Sequence, residues 1–169
     1  MRHTPAFALA AALLASAAQA QGQAPAAVTA ELKNSSGQTV GAVTLTEAPK
    51  GVVMKVEAKG LSAGWHGLHF HEKGDCSKSD FTSAGGHVHG PAAPVHGLLN
   101  PKANDLGDLP NLHAGQDGTA SAEVFSSVVT LKALRDADGS AVVIHANPDD
   151  HMTQPIGGAG ARVACGEIR

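Results

Sequence analysis

The residues best suited to chemistry fall in one short run, Gly64-Trp65-His66-Gly67-Leu68-His69-Phe70-His71-Glu72. His69 and His71 alternate, and on a β-strand residues i and i+2 point to the same face. Such a pair sets two imidazoles side by side, close enough to bind one metal ion. More ligand-type residues follow: His87, His89, His96, Asp105, Asp108 and, far downstream, His145. Imidazole with carboxylate suits zinc or copper, and an all-imidazole set suits copper well. His145 ends an apolar run, so a second strand can supply a third ligand. His87 follows Gly85-Gly86, where the chain can approach a site closely. His96 and Asp108, with either Asp105 or His89, could hold a second metal. His66 would point to the face opposite His69 and reads as a packing or supporting residue. His113 and His151 have no ligand neighbour in sequence and read as structural or exposed.

These ligands need strands to carry them. Val52 to Ala58 alternates apolar and polar residues, as a half-buried strand does. Ala27 to Asn34 and Val40 to Thr46 precede it at about ten-residue spacing, with turn signals at Asn34-Ser35-Ser36-Gly37 and Pro49-Lys50-Gly51. The fourth strand carries His69 and His71. From Lys73 to Leu112 the periodicity is lost over about forty residues, a length uncommon in a compact domain unless the loop is functional or disordered. Strand signals return at Thr119 to Phe125, Val128 to Leu131, Ala141 to His145 and Ala161 to Ile168. A second irregular loop runs from Asn147 to Gly160. The count is eight strands with no convincing helix, which predicts an all-β antiparallel barrel or sandwich with long metal-binding loops.

Residues 1–20 contain Arg2, an apolar run from Ala6 to Leu14 and a small-x-small site at Ala18-Gln19-Ala20. That pattern is a secretory signal peptide, and the run is too short to span a bilayer. Cleavage after Ala20 leaves residues 21–169 as one domain. The formal charge moves from −3 to −4 with the loss of Arg2. This mild acidity argues against nucleic acid or an anionic membrane as partner. Export to an oxidising compartment favours pairing the two cysteines, Cys76 and Cys165. Closing that ring would be worth roughly 4–5 kcal/mol in the chain-entropy model. The alternatives are two free buried thiols or a thiol in the metal site.

Taken together, G-W-H-G-L-H-F-H-E-K-G-D-C, S-A-G-G-H, G-D-L-P, V-V-I-H and G-G-A-G-A-R-V-A-C-G resemble copper/zinc superoxide dismutase of the bacterial periplasmic type. The resemblance covers the whole mature chain, with its motifs in family order. It implies an eight-stranded Greek-key barrel in the periplasm that binds copper and zinc and converts superoxide to O2 and H2O2. By motif position, His69, His71 and His145 resemble copper ligands, and His87 the imidazole that bridges copper and zinc. His96 and Asp108 resemble zinc ligands. Cys76 and Cys165 match the family disulfide. Arg162 matches the arginine that attracts superoxide, and Asp149 the aspartate that links a copper histidine to a zinc histidine. The bridging role further implies that His87 gains and returns a proton during the cycle.

The chain departs from the family pattern at three places. Asp105 stands where the family carries a zinc histidine; Asp105 or His89 would complete that site. The spacing from His87 to His96 is one residue longer than usual. Val88 stands where bacterial relatives often carry an aromatic residue associated with subunit contact, so monomer and homodimer both remain open. A non-enzymatic periplasmic copper or zinc carrier on the same fold is the alternative function. A secreted adhesion module with a structural metal is a third, and it leaves the clustered histidines unexplained. The exported protein is expected to begin at Gln21, and intact-mass measurement of the periplasmic form checks this. A mass that retains residues 1–20 would contradict the cleavage.

Overall fold

The computed structural model describes residues 24–169. The expected signal peptide, residues 1–20, lies outside the described residues. Strands β1 (Ala27–Asn34), β2 (Thr39–Ala48) and β3 (Gly51–Ala58) form an antiparallel meander, and the residues that alternate inward along them are apolar. β4 (Gly64–His66) and β5 (Leu68–His71) are one strand path broken at Gly67. β6 (Leu112–Ala114), β7 (Ala120–Ser126), β8 (Ser140–His145) and β9 (Arg162–Ile168) complete the set. Seven strands form one curled sheet in the order β5-β8-β9-β1-β2-β3-β7, while β4 pairs with β6. β6 lies beside β7, and β4 runs into β5. The architecture is all-β and antiparallel, as expected.

Two differences from the sequence reading have local causes. Val128–Leu131 is not a strand. Its chain turns into a one-turn helix, α1 (Leu131–Leu134), where Thr130 caps the end by accepting a hydrogen bond from the Ala133 N–H at 3.1 Å. The Leu131 N–H donates to Glu47 Oε2 at 2.8 Å. Leu131 and Leu134 share one helical face, and both are buried with Val129 in the core. The second difference is β6, whose three residues are too short to show a period. With β4 and β5 joined, and β6 in place of Val128–Leu131, the count of eight strands stands.

The sheet separates chemistry from packing. Along β5, Leu68 and Phe70 enter the main core, while His69 and His71 face the other way. Along β8, Val142 and Ile144 join the core, and Ala141 and Val143 form a second small cluster with Phe81, Ala84 and Cys165. That outer cluster lies under the loop that follows β5. The loop is tied to β9 by the Cys76–Cys165 disulfide, with Cα atoms 5.9 Å apart. Gly67 is required at the break between β4 and β5, because a Cβ there would lie 2.7 Å from the Ala159 Cβ. Its N–H donates to the Asn147 carbonyl and its carbonyl accepts from the His145 N–H, both at 2.8 Å. The end of β8 is thereby pinned beside β5.

Leu45 is fully buried on β2, within the main core. Leu45→Ala is expected to lower stability by about 2–5 kcal/mol, read from the denaturation midpoint. Metal content of the folded protein should not change.

Candidate metal centre

Four histidines meet on the outer face of β5 and β8. His69 and His71 come from β5, His145 from the end of β8, and His87 from the long loop. One ring nitrogen from each lies within 4.8 Å of the other three. Ring centroids are 4.1 Å apart for His69 and His87, and 4.9 Å for His69 and His145. All four rings are buried.

Each ring has one nitrogen tied to the protein. His69 Nε2 donates to Asp149 Oδ2 at 2.7 Å, and His71 Nδ1 to the Gly85 carbonyl at 3.0 Å. His145 Nδ1 donates to the Gly160 carbonyl at 3.0 Å, and His87 Nδ1 to Asp105 Oδ2 at 2.8 Å. The remaining nitrogens, His69 Nδ1, His71 Nε2, His87 Nε2 and His145 Nε2, are buried without a hydrogen-bond partner. A buried polar atom without a partner is costly unless something coordinates it. An all-imidazole set with its outer nitrogens fixed by carbonyl or carboxylate fits a copper ion.

A second group, His69, His87, His96 and Asp108, overlaps the first at His69 and His87, with one ligand atom of each within 4.8 Å of the others. His96 Nδ1 donates to Asp108 Oδ1 at 2.6 Å, and His87 Nδ1 lies 3.5 Å from the same oxygen. Asp105 Oδ2 lies beside this group, 2.8 Å from His87 Nδ1 and 3.9 Å from His96 Nδ1. His89 stays outside. It is exposed, with Nδ1 donating to the Gly90 carbonyl at 2.6 Å and Nε2 3.5 Å from Glu72. Histidine and carboxylate together fit zinc.

Asp149 joins the clusters. Its Oδ1 accepts from His96 Nε2 at 3.0 Å, while its Oδ2 holds His69. The loop around it is shaped to that carboxylate. Gly157 has φ of +59°, and a Cβ there would lie 1.6 Å from Asp149 Oδ1.

One supporting residue, Asn111, gave no signal in sequence. Asn111 donates through Nδ2 to the Asp149 carbonyl at 2.8 Å and accepts the Asp149 N–H at 2.9 Å. His151 is half-buried, and its backbone N–H donates to Asp149 Oδ1 at 2.6 Å. His151 adopts φ of +59°, uncommon for a residue other than glycine. His113 is exposed on β6, with its ring edge-on to Trp65 at 4.7 Å. His66 is buried, and its Nδ1 donates to the His145 carbonyl at 2.6 Å.

Arg162 sits opposite His145 in the β8–β9 ladder, at a bulge between Ile144 and His145. Its guanidinium donates to the carbonyls of Phe81 and Gly85, at 2.5 and 2.6 Å. His71, His87 and Arg162 line a cleft of about 350 Å³, which Pro155 and Ile156 also border.

The two clusters differ electrostatically in the metal-free chain. Burial pushes His71 down to about 2 and His145 down to about 3, so both rings are neutral. His69 is lowered too, with burial outweighing the hydrogen bond to Asp149. Burial also acts most strongly on His96, but Asp105, Asp108 and Asp149 together outweigh it and push His96 up to about 11. His87 is raised in the same way by Asp105 and Asp108. The three aspartates are held below the usual carboxylate range, because hydrogen bonds from the histidines outweigh their own burial.

Fold and site together define a β-scaffold metalloprotein with two adjoining groups of metal-ligand side chains that overlap at His69 and His87. The family model for copper/zinc superoxide dismutase (SODC) matches residues 39–168, and the chain belongs to that family. The Cu-Zn superoxide dismutase of Caulobacter vibrioides is 64% identical over 147 residues, covering 83% of this chain and 84% of that one. A second relative, the Cu-Zn superoxide dismutase 2 of Aquifex aeolicus, is 42% identical over 83% of this chain and 85% of its own length. Among solved structures, the Cu/Zn superoxide dismutase from Brucella abortus superposes with a TM-score of 0.72 at 32% identity, over 85% of this chain and all of that one. A superoxide dismutase-like protein from Bacillus subtilis superposes with a TM-score of 0.78 at 35% identity, over 83% of this chain and 97% of that one.

The metal-free protein should lose stability as pH falls from 6.5. His69, His71 and His145 have folded values below the ordinary 6.5, so below that pH the unfolded chain binds protons that the folded chain refuses. Each contributes a loss of up to about 1.4 kcal/mol per pH unit. His87 and His96 have raised values; their contribution is fully present below 6.5 and is lost only at higher pH. The aspartates add a further loss below about pH 4. Thermal unfolding of the disulfide-intact, metal-free chain between pH 7.5 and 4.5 checks this, and a flat profile would contradict it.

Proposed function

We propose that His69, His71, His87 and His145 hold copper, and that His87, His96, Asp105 and Asp108 hold zinc, in a periplasmic superoxide dismutase. The supporting observation is the four buried ring nitrogens that converge without a hydrogen-bond partner while their opposite nitrogens are tied down. The chain converts two superoxide ions and two protons to O2 and H2O2. Copper held by His69, His71, His87 and His145 would supply the one-electron redox chemistry at this site.

The protein's own groups bind, orient and supply protons. Arg162 attracts the anionic substrate into the cleft, which matters because the chain as a whole carries net negative charge. Its guanidinium is braced by two carbonyls, so the charge is already aimed before substrate arrives. His87 takes up a proton at Nε2 in one half of the cycle and returns it to the reduced substrate in the other. The opposite nitrogen, Nδ1, is turned into the second cluster beside Asp105, so the ring would keep its orientation as Nε2 changes state. Asp149 couples His69 to His96 and so links the geometry of the two clusters. The carrier reading needs no cation at the cleft, whereas Arg162 beside His71 and His87 serves an enzyme acting on an anion.

Residues 1–20 direct export, and residues 21–169 form the mature periplasmic chain. Among the described residues no helix is long and apolar enough to cross a membrane.

Arg162→Glu should slow superoxide decay by roughly tenfold or more while bound copper stays unchanged. His145→Ala should lower copper content and activity together. Pulse radiolysis beside metal analysis separates these outcomes, and tight copper binding by the wild-type chain with no acceleration of superoxide decay would favour the carrier.

A further inference from the structure

Two carboxylates, Asp105 and Asp108, face His87 and His96, and both are built in. Asp105 Oδ1 accepts the Gly107 N–H at 2.8 Å, and its Oδ2 turns inward to His87 Nδ1 at 2.8 Å. Asp108 Oδ2 accepts the Gly97 N–H at 2.7 Å, and its Oδ1 turns inward to His96 Nδ1 at 2.6 Å. Each aspartate therefore spends one oxygen on the backbone and presents the other to the same two ring nitrogens. Both are buried. His69 also lies close, with its Nε2 held by Asp149, whereas His89 is exposed and its ring nitrogens lie beside the Gly90 carbonyl and Glu72.

We infer, resting on the two-metal reading above, that this centre is a two-histidine, two-aspartate site that separates zinc from harder divalent ions such as manganese less sharply than a third imidazole in place of Asp105 would. The donor chemistry leads there. Two carboxylates neutralise a divalent ion completely, so the bound state is stabilised by charge whichever metal enters. Imidazole is the donor that favours zinc, whereas carboxylate oxygen suits manganese. Putting a carboxylate at position 105 removes one of the contributions that would separate the two ions. The backbone N–H groups of Gly97 and Gly107 hold the oxygens in place without adding to that separation.

The test uses the full mature chain carrying one equivalent of copper. It is equilibrated with equal zinc and manganese, freed of loose metal by gel filtration and analysed by mass spectrometry. Asp105→His should raise the ratio of bound zinc to bound manganese by roughly tenfold or more over wild type. His89→Ala should leave the ratio unchanged. An unchanged ratio in Asp105→His, or a shifted ratio in His89→Ala, would overturn the inference. Should Asp105→His fail to fold by circular dichroism, Asp105→Asn replaces it. That variant removes one charge and should lose manganese more than zinc; equal retention of both would also overturn the inference. His96→Ala tests the underlying reading separately, because wild-type zinc uptake in that variant would mean that the second site itself is absent.

Discussion

The site depends on a division of labour within each histidine ring. One nitrogen is held by a protein carbonyl or carboxylate, and the other is turned towards its three neighbours. Fixing the outer nitrogen selects the tautomer and the ring orientation, so four separate side chains behave as one preformed set of donors. Without those outer bonds the rings could rotate to satisfy both nitrogens locally, and the cluster would lose its common focus. The surrounding fold supplies the acceptors: Asp149, Gly160 and Gly85 from loops, and Asp105 from the second cluster.

Burial and charge then set the two clusters apart. Where a ring faces carbonyls, as His71 and His145 do, desolvation wins and the imidazole is neutral. Where a ring faces carboxylates, as His96 does, charge wins and the proton stays on. His87 lies on the boundary, with Nδ1 among aspartates and Nε2 among imidazoles. A metal entering the second cluster must displace the proton on His96, and a metal entering either cluster meets His87, whose value is also raised. Asp149 spans the boundary from the other side, and Asn111 and His151 hold its backbone and its carboxylate in register.

The disulfide belongs to the same arrangement. Cys76 and Cys165 fasten the loop after β5 to β9. That loop presents the Phe81 and Gly85 carbonyls that brace Arg162, and Gly85 also accepts from His71. One covalent link thus restrains the substrate-facing cation and a cluster histidine together. The ladder places Arg162 opposite His145, so a single strand pair positions both.

Much of this could be read from local pattern. Alternation along β3 and the apolar run of β8 marked strands, the spacing of His69 and His71 put both on one face, and two cysteines in an exported chain were expected to pair. These are properties of neighbouring residues, and a period of two survives in the sequence. Only the tertiary structure decided the rest. It replaced a strand at Val128–Leu131 with a capped helical turn, because Thr130 and Glu47 offered partners that apolar patterning does not encode. It revealed β6, too short for a period. It turned Asp105 inward and left His89 outside, although both are ligand types in the same loop. It brought Asn111 to Asp149 across 38 positions. Such choices depend on which backbone groups meet after the loops close, and sequence spacing carries no record of those meetings.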